Sequence, residues 1–486
     1  MTAWSRTLVA ALGLTLLPAA GARGEEPIAY LLDAAAATST GRVRVTMTLP
    51  VPAAAPAGLV IPRGYPGGYA LFLYDRFVED VKAFSPAGAA LAVARAEYGP
   101  RWSLGKAGER VQRITYAVDV ARMEREILKG VAASKIRPRY AGLLGYTVFA
   151  YVDGEERRAA SLEVVAPEGW PVLTTLSPSV PAPAGRASAR AKDYDVLADS
   201  QVLAGPNLAL SRLEGTIPLV LAVYAEGEAD VAREGALART ALDRVQAYFG
   251  DAPIRQYTVQ LELLAPLEGH GYAFSQEHVD SGTFSLSVAR ATTAKTGEDD
   301  LAQTLVNYAH HMAHTWIPKR AYGAGYAPHT WEAPPVYDTI WFNEGFGRYA
   351  AIQALADGMP AAEGTAFRAR TLARLRVLLG EAPPFVRRMP LAELSRSASF
   401  MYSADFRIGM STFARGALMA AEMDDRIRTA TGGTRSLKDA LRALLKSPQP
   451  FRVQDLPSIF QEATGVDVLE ILERWQKEPA VLASRP

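Results

Sequence analysis

Residues 299–349 constrain this chain more than any other stretch. They read D-D-L-A-Q-T-L-V-N-Y-A-H-H-M-A-H-T-W, then a Pro- and Gly-rich loop, then W-F-N-E-G-F-G-R-Y. His310 and His314 are four residues apart. A helix sets both on one face, about one turn from each other. Asp299 and Asp300 can cap such a helix and complement its dipole, while Pro318 must stop it near Trp316 or Ile317. Glu344 follows on a second predicted helix. All six His, at 270, 278, 310, 311, 314 and 329, fall within sixty residues of a 486-residue chain. Two imidazoles one turn apart with a distant carboxylate are donors that zinc accepts. His310, His314 and Glu344 are therefore the candidate metal ligands. The loop at 319–335, rich in Gly, Pro and aromatics, is expected to lie over a cleft.

Composition narrows the alternatives. The chain has no Cys, so any zinc must be held by His, Asp or Glu, and stability must come from the core rather than from disulfides. A formal net charge of +1 gives no basic surface for nucleic acid. At the N-terminus, Arg6 precedes an apolar run at residues 8–17 and the small residues Ala20-Gly21-Ala22. That pattern predicts a cleavable signal peptide over residues 1–22, and with it a secreted or periplasmic protein. No later run of about 18 apolar residues occurs, so no membrane span is expected in the mature chain.

In order, residues 27–178 read as β structure, with a strand of period two at 42–49, a strand running into Gly/Pro turns over 58–69, and further strands at 111–120, 146–152 and 160–165. Strands at such spacing suggest a sandwich. Residues 178–192 read as a linker or crossing loop. A second region, 190–480, opens with a strand at 219–224, a helix at 229–249 closed by Gly250, and a strand at 256–264. A possible edge strand ending at His278 comes next, and the chain is helical from about residue 341. Ser436 and Asp467 are candidate caps for the last helices. The fold class is α+β.

The residues also carry a family resemblance. H-H-M-A-H-T-W-x-x-K-R followed by W-F-N-E-G-F resembles the glycyl aminopeptidase family of zinc metallopeptidases, in the gluzincin group with aminopeptidase N and thermolysin. Pro62-Arg-Gly-Tyr-Pro-Gly-Gly-Tyr69 resembles the family's P-x-x-x-P-G-S-Y, Gly271 to His278 its G-G-L-E-H stretch, and Phe413-Ala-Arg-Gly-Ala-Leu418 its Y-x-K-G-x-L. The resemblance implies an N-terminal β-sandwich before a thermolysin-like α+β domain. It implies one zinc on His310, His314 and Glu344. It also implies a peptide or protein N-terminus as partner, its amine facing Glu277 with His278 beside it.

The sequence departs from that pattern in its chemistry. His311 stands where the family's H-E-x-x-H has the Glu that acts as general base. Phe413 stands where a Tyr donates to the oxyanion, and no counterpart of the family's C-terminal PDZ domain is expected. A lost base costs about 10² to 10⁴ in rate and a lost oxyanion donor about 10² to 10³. The expectation is a pseudopeptidase that still holds zinc and a peptide. The alternative is an active zinc aminopeptidase with His311 as an altered base. Tyr326, Glu332 and Tyr402 are candidates to replace the lost groups.

Overall fold

The structure, a computed structural model, describes residues 26–127, 132–177 and 184–477. The expected signal peptide lies outside the described residues. The N-terminal part is built on a seven-stranded sheet that includes Ile28–Asp33, Arg42–Ala54, Val78–Phe84, Arg110–Asp119, Ala160–Val165 and Arg186–Ala191. A four-stranded sheet with Ala57–Val60 and Arg101–Leu104 packs on it. Val43, Val45 and Met47 from the first sheet and Leu59, Trp102 and Leu104 from the second share one buried core. This is the period-two alternation put to use: inward residues of both sheets interdigitate and outward ones are solvated.

Two sequence readings change. Residues 145–148 form a helical turn, and only Tyr151–Val152 is strand, because Phe149 and Val148 turn their carbonyls to the hydroxyls of Tyr194 and Tyr116 instead of a ladder. Within the expected linker, Arg186–Ala191 is a strand paired with Ala160–Val165. Its alternating exposed and half-buried pattern, R-A-S-A-R-A, lacks the large apolar residues that mark a strand in sequence.

The second part has a five-stranded sheet. Its order is Ala209–Leu213, Leu219–Ala225, Tyr257–Leu264, Ser281–Ser287, Ala273–Glu277. The parallel pair Leu219–Ala225 and Tyr257–Leu264 is joined by the Val231–Phe249 helix, capped by the Asp230 side chain and ended by Gly250 at φ +83°. The strand at Ser281–Ser287, unforeseen in sequence, puts Ala273–Glu277 antiparallel at the edge. Helices follow from Glu298–Ala313 onward, ending in Phe406–Ala430, Leu437–Leu444 with its Ser436–Asp439 capping box, Leu456–Thr464 and Leu469–Lys477. The whole is α+β, β-rich first and mostly helical at the end. No described helix is long and apolar enough to cross a membrane.

Buried charges join the two parts. Arg137 makes a bidentate pair with Glu124 at 2.7 and 2.8 Å and reaches Glu226 at 2.7 Å. Lys135 lies 3.2 Å from Glu262, which also accepts from Tyr140 at 2.7 Å. Charges this buried are tolerated because every one is paired.

Candidate metal centre

The ligand helix runs over Glu298–Ala313, with three acidic residues in its first turn. It ends sooner than Pro318 alone predicts, and His314 is its C-cap at φ −64°, ψ −19°. That conformation is still helical, so His314 keeps its place one turn after His310. Glu344 sits in a six-residue π-helical stretch, Trp341–Phe346, that runs into the Gly347–Asp357 helix. The wider π turn re-aims a side chain, and such turns recur at functional sites. Glycine fixes its position. A Cβ at Gly416, on the Phe406–Ala430 helix, would collide with the Trp341 carbonyl, and one at Gly345 with the Gly416 backbone. Only bare backbones let these two elements meet so closely.

The three donors converge. His310 Nε2 and His314 Nε2 are 3.3 Å apart, and Glu344 Oε2 lies 3.4 Å from the first and 3.6 Å from the second. Tetrahedral zinc with bonds of about 2.0–2.1 Å has ligand–ligand edges of about 3.3–3.4 Å. The triad fits that size before any ion is placed. Two ring nitrogens facing each other at 3.3 Å also need a proton or a cation between them. His314 Nδ1 donates to the Ile317 carbonyl at 2.7 Å, which leaves its Nε2 lone pair for a metal. Tyr69, from the N-terminal part, donates to Glu344 Oε1 at 2.8 Å. That oxygen is held while Oε2 faces the imidazoles.

The charges follow this geometry. Burial would pull His314 down, but the Glu277 and Glu344 carboxylates outweigh it and raise it to about 9. Burial and the charge on His314 push His310 down to about 3. Burial would lift Glu344, yet His314 and His310 hold it well below the usual carboxylate range. Without an ion, His314 carries the one proton that neutralises the carboxylate. A metal takes that role.

His311 and Phe413 reach the same centre. His311 is buried, and burial with its two His neighbours holds it neutral. Its Nδ1 has no hydrogen-bond partner and lies 3.9 Å from Glu277 Oε2. The Phe413 ring stands edge-on to His310 at 5.2 Å, with the Arg348 guanidinium 5.2 Å from its centroid. It brings no polar atom. Glu277 ends the edge strand, and burial lifts it above the usual carboxylate range. His278 is separate: its Nδ1 bonds Asp199 at 3.0 Å and its Nε2 bonds Thr283 at 3.3 Å, so both nitrogens are engaged away from the triad. His270 is exposed in a turn. His329, half-buried against Tyr326 and Trp331, is pushed down to about 4 by burial and by Lys319.

Of the replacement candidates, Glu332 is bound by Arg101 and is committed to it. The Tyr326 hydroxyl is buried without a partner, and the Tyr402 ring packs 5.2 Å from Tyr69. Sequence reasoning missed the roles of Tyr69 and Arg348. Arg348 sits one turn after Glu344, a spacing that could have flagged it. Tyr69 was visible only as the end of a Gly- and Pro-rich motif, because its partner is 275 residues away.

An α+β fold with a buried His₂Glu cluster defines a zinc-metallopeptidase-like protein. Residues 30–206 match the Peptidase M61 N-terminal domain. The fold is similar to the crystal structure of an aminopeptidase N family protein from Idiomarina loihiensis, with a TM-score of 0.80 at 19% identity, covering 93% of this chain and 76% of that one. It is also similar to an M1 zinc metallopeptidase from Deinococcus radiodurans, with a TM-score of 0.52 at 16% identity over 96% of both chains. Among proteins of curated function, no sequence matches.

Proposed function

We propose that this chain is a secreted zinc-holding protein of the glycyl aminopeptidase type whose peptide hydrolysis is impaired. It binds an extended peptide or protein N-terminus beside the metal. His310, His314 and Glu344 hold the ion. Zinc there would act as a Lewis acid toward a peptide carbonyl and an attacking water. The residues beside it do not complete that chemistry. His311, neutral and desolvated, replaces the carboxylate that would take a proton. Phe413 offers no hydrogen bond to an oxyanion. The observation that carries this reading is the pairing of an intact, correctly sized donor triad with two apolar or neutral groups where proton transfer and oxyanion support belong. The edge strand Ala273–Glu277 can take an extended peptide by strand addition, with Glu277 next to its amine.

The test is zinc analysis together with hydrolysis of N-terminal Gly and Ala chromogenic substrates, with and without chelator. One zinc per chain and no chelator-sensitive turnover above background is expected. One observation favours a second reading, an active aminopeptidase with an altered base: Glu277 Oε2 lies 3.9 Å from His311 Nδ1, near enough for its charge to favour a proton on the ring. Chelator-sensitive hydrolysis that falls on His311→Ala would establish that reading instead.

A further inference from the structure

Glu277, His311 and His314 each offer one donor atom, and the three atoms lie within 4.8 Å of one another. All three residues are buried, at 4%, 7% and 0% exposure. One of the donors is an orphan: His311 Nδ1 is buried with no hydrogen-bond partner and faces Glu277 Oε2 at 3.9 Å. A buried nitrogen left unpaired is costly, and a cation between it and the Glu277 carboxylate would satisfy it. The Glu277 carboxylate is also fenced in. Gly67 of the N-terminal part packs so closely on Oε1 that a Cβ there would collide with it. The carboxylate cannot swing toward that side, and Oε2 stays turned to His311.

We propose that Glu277, His311 and His314 form a second position for a divalent transition-metal cation, beside the first and exclusive of it. Exclusion follows from His314. Its Nδ1 donates to Ile317, so it has a single lone pair, on Nε2, and one imidazole cannot serve two ions with it. The chain therefore holds one ion, in either of two places. Two imidazoles and a carboxylate suit zinc, cobalt, nickel or copper better than calcium or magnesium. In the second set His311 Nδ1 and Glu277 Oε2 are 3.9 Å apart, against 3.3–3.6 Å between the donors of the first, so it must close in on binding and holds its ion less tightly. An ion there takes Glu277 away from a peptide amine, which links metal position to peptide binding. This rests on the reading that the centre binds metal at all.

Zinc titration against a chromophoric chelator, with Co²⁺ absorption as a second probe, tests it. His310→Ala and Glu344→Gln each dismantle the first set only. Each should still bind one ion per chain, more weakly than the wild type and with an altered Co²⁺ spectrum. Adding His311→Ala to either should abolish binding. Circular dichroism confirms that each variant is folded, and the two first-set variants check each other. If both folded variants are as empty as His314→Ala, or if His311→Ala changes nothing in their background, the second position is refuted while the first stands. If the folded wild type binds no ion, the proposed metal function falls too.

Discussion

The donor triad and the two residues beside it meet in one centre but are supported differently: His311 shares the Glu298–Ala313 helix with His310, and Phe413 comes from the Phe406–Ala430 helix. In the triad two of the three donors are held by outside partners, while His310 Nδ1 is buried without one. His314 is oriented by the Ile317 carbonyl, Glu344 by the Tyr69 hydroxyl, and the backbone under Glu344 by a glycine contact with the Phe406–Ala430 helix. The spacing matches an ion to within a few tenths of an ångström. At the two reaction positions no such hydrogen bond is found among the described residues. His311 Nδ1 has no partner, and Phe413 meets His310 only through its ring edge. The side chains suited to hold a metal and those at the two reaction positions are thus different residues, so they can be substituted separately.

The sharpest break of this comparison is His314→Ala. His314 belongs to both possible ligand sets, so zinc should drop from one per chain to none, measured by elemental analysis of dialysed protein. Retention of stoichiometric zinc would mean that the ion is held elsewhere. Next is the reverse experiment on the other region. His311→Glu with Phe413→Tyr restores a carboxylate base and a phenol near the ion. Hydrolysis of Gly- or Ala-terminated substrates should rise by at least about 10²-fold, the lower end for a single restored base. The two gains are not expected to multiply, since groups acting in one step are strongly non-additive. A double variant with zinc and no gain would place the defect elsewhere in the cleft.

Much of the first region was legible in sequence and little of its support was. The His310–His314 spacing and the W-F-N-E-G-F segment mark the donors because helical periodicity fixes their relative direction. Long-range contacts leave no such mark. Tyr69 reaches Glu344 from another domain, and Gly416 admits the Trp341 carbonyl from a distant helix. The edge strand bearing Glu277 was readable, but Ser281–Ser287, the strand that makes it an edge, was not. Its S-G-T-F-S-L-S mixes small polar residues that are buried only because the sheet covers both faces. His278 shows the opposite failure. A His next to the substrate Glu looks available in sequence, yet Asp199 and Thr283 occupy both of its nitrogens.

The charge state of the triad offers a graded test. Without an ion His314 titrates near 9, so at pH 7 it is protonated and zinc must displace that proton. Affinity should therefore rise about tenfold per pH unit from 7 toward 9 and flatten above it, with about one proton released per zinc at pH 7. His310, held down at about 3, adds no slope in this window. Chelator-competition titrations at three pH values read the slope directly. A flat profile would show that His314 is neutral before zinc arrives, and that Glu344 is balanced by something else.

The smallest expected effect probes the support rather than the donors. Tyr69→Phe removes one hydroxyl and leaves the ring packed on Tyr337 and Tyr402, 5.9 and 5.2 Å away. The loop from the N-terminal part should stay in place, so the variant removes the hydrogen bond to Glu344 and the hydroxyl's interaction with Tyr337. Outer partners of metal ligands typically account for about 10- to 100-fold in affinity, and zinc binding should weaken within that range. The freed Oε1 is buried, so the metal-free protein should also lose about 1–3 kcal/mol of stability in denaturant unfolding. Tyr402→Phe is the matched control: its hydroxyl bonds neither the triad nor Glu277 among the described residues, so zinc affinity should hardly move. If the two variants weaken zinc equally, the effect comes from the shared aromatic packing. The hydrogen bond from Tyr69 would then not be what aims Glu344 at the imidazoles.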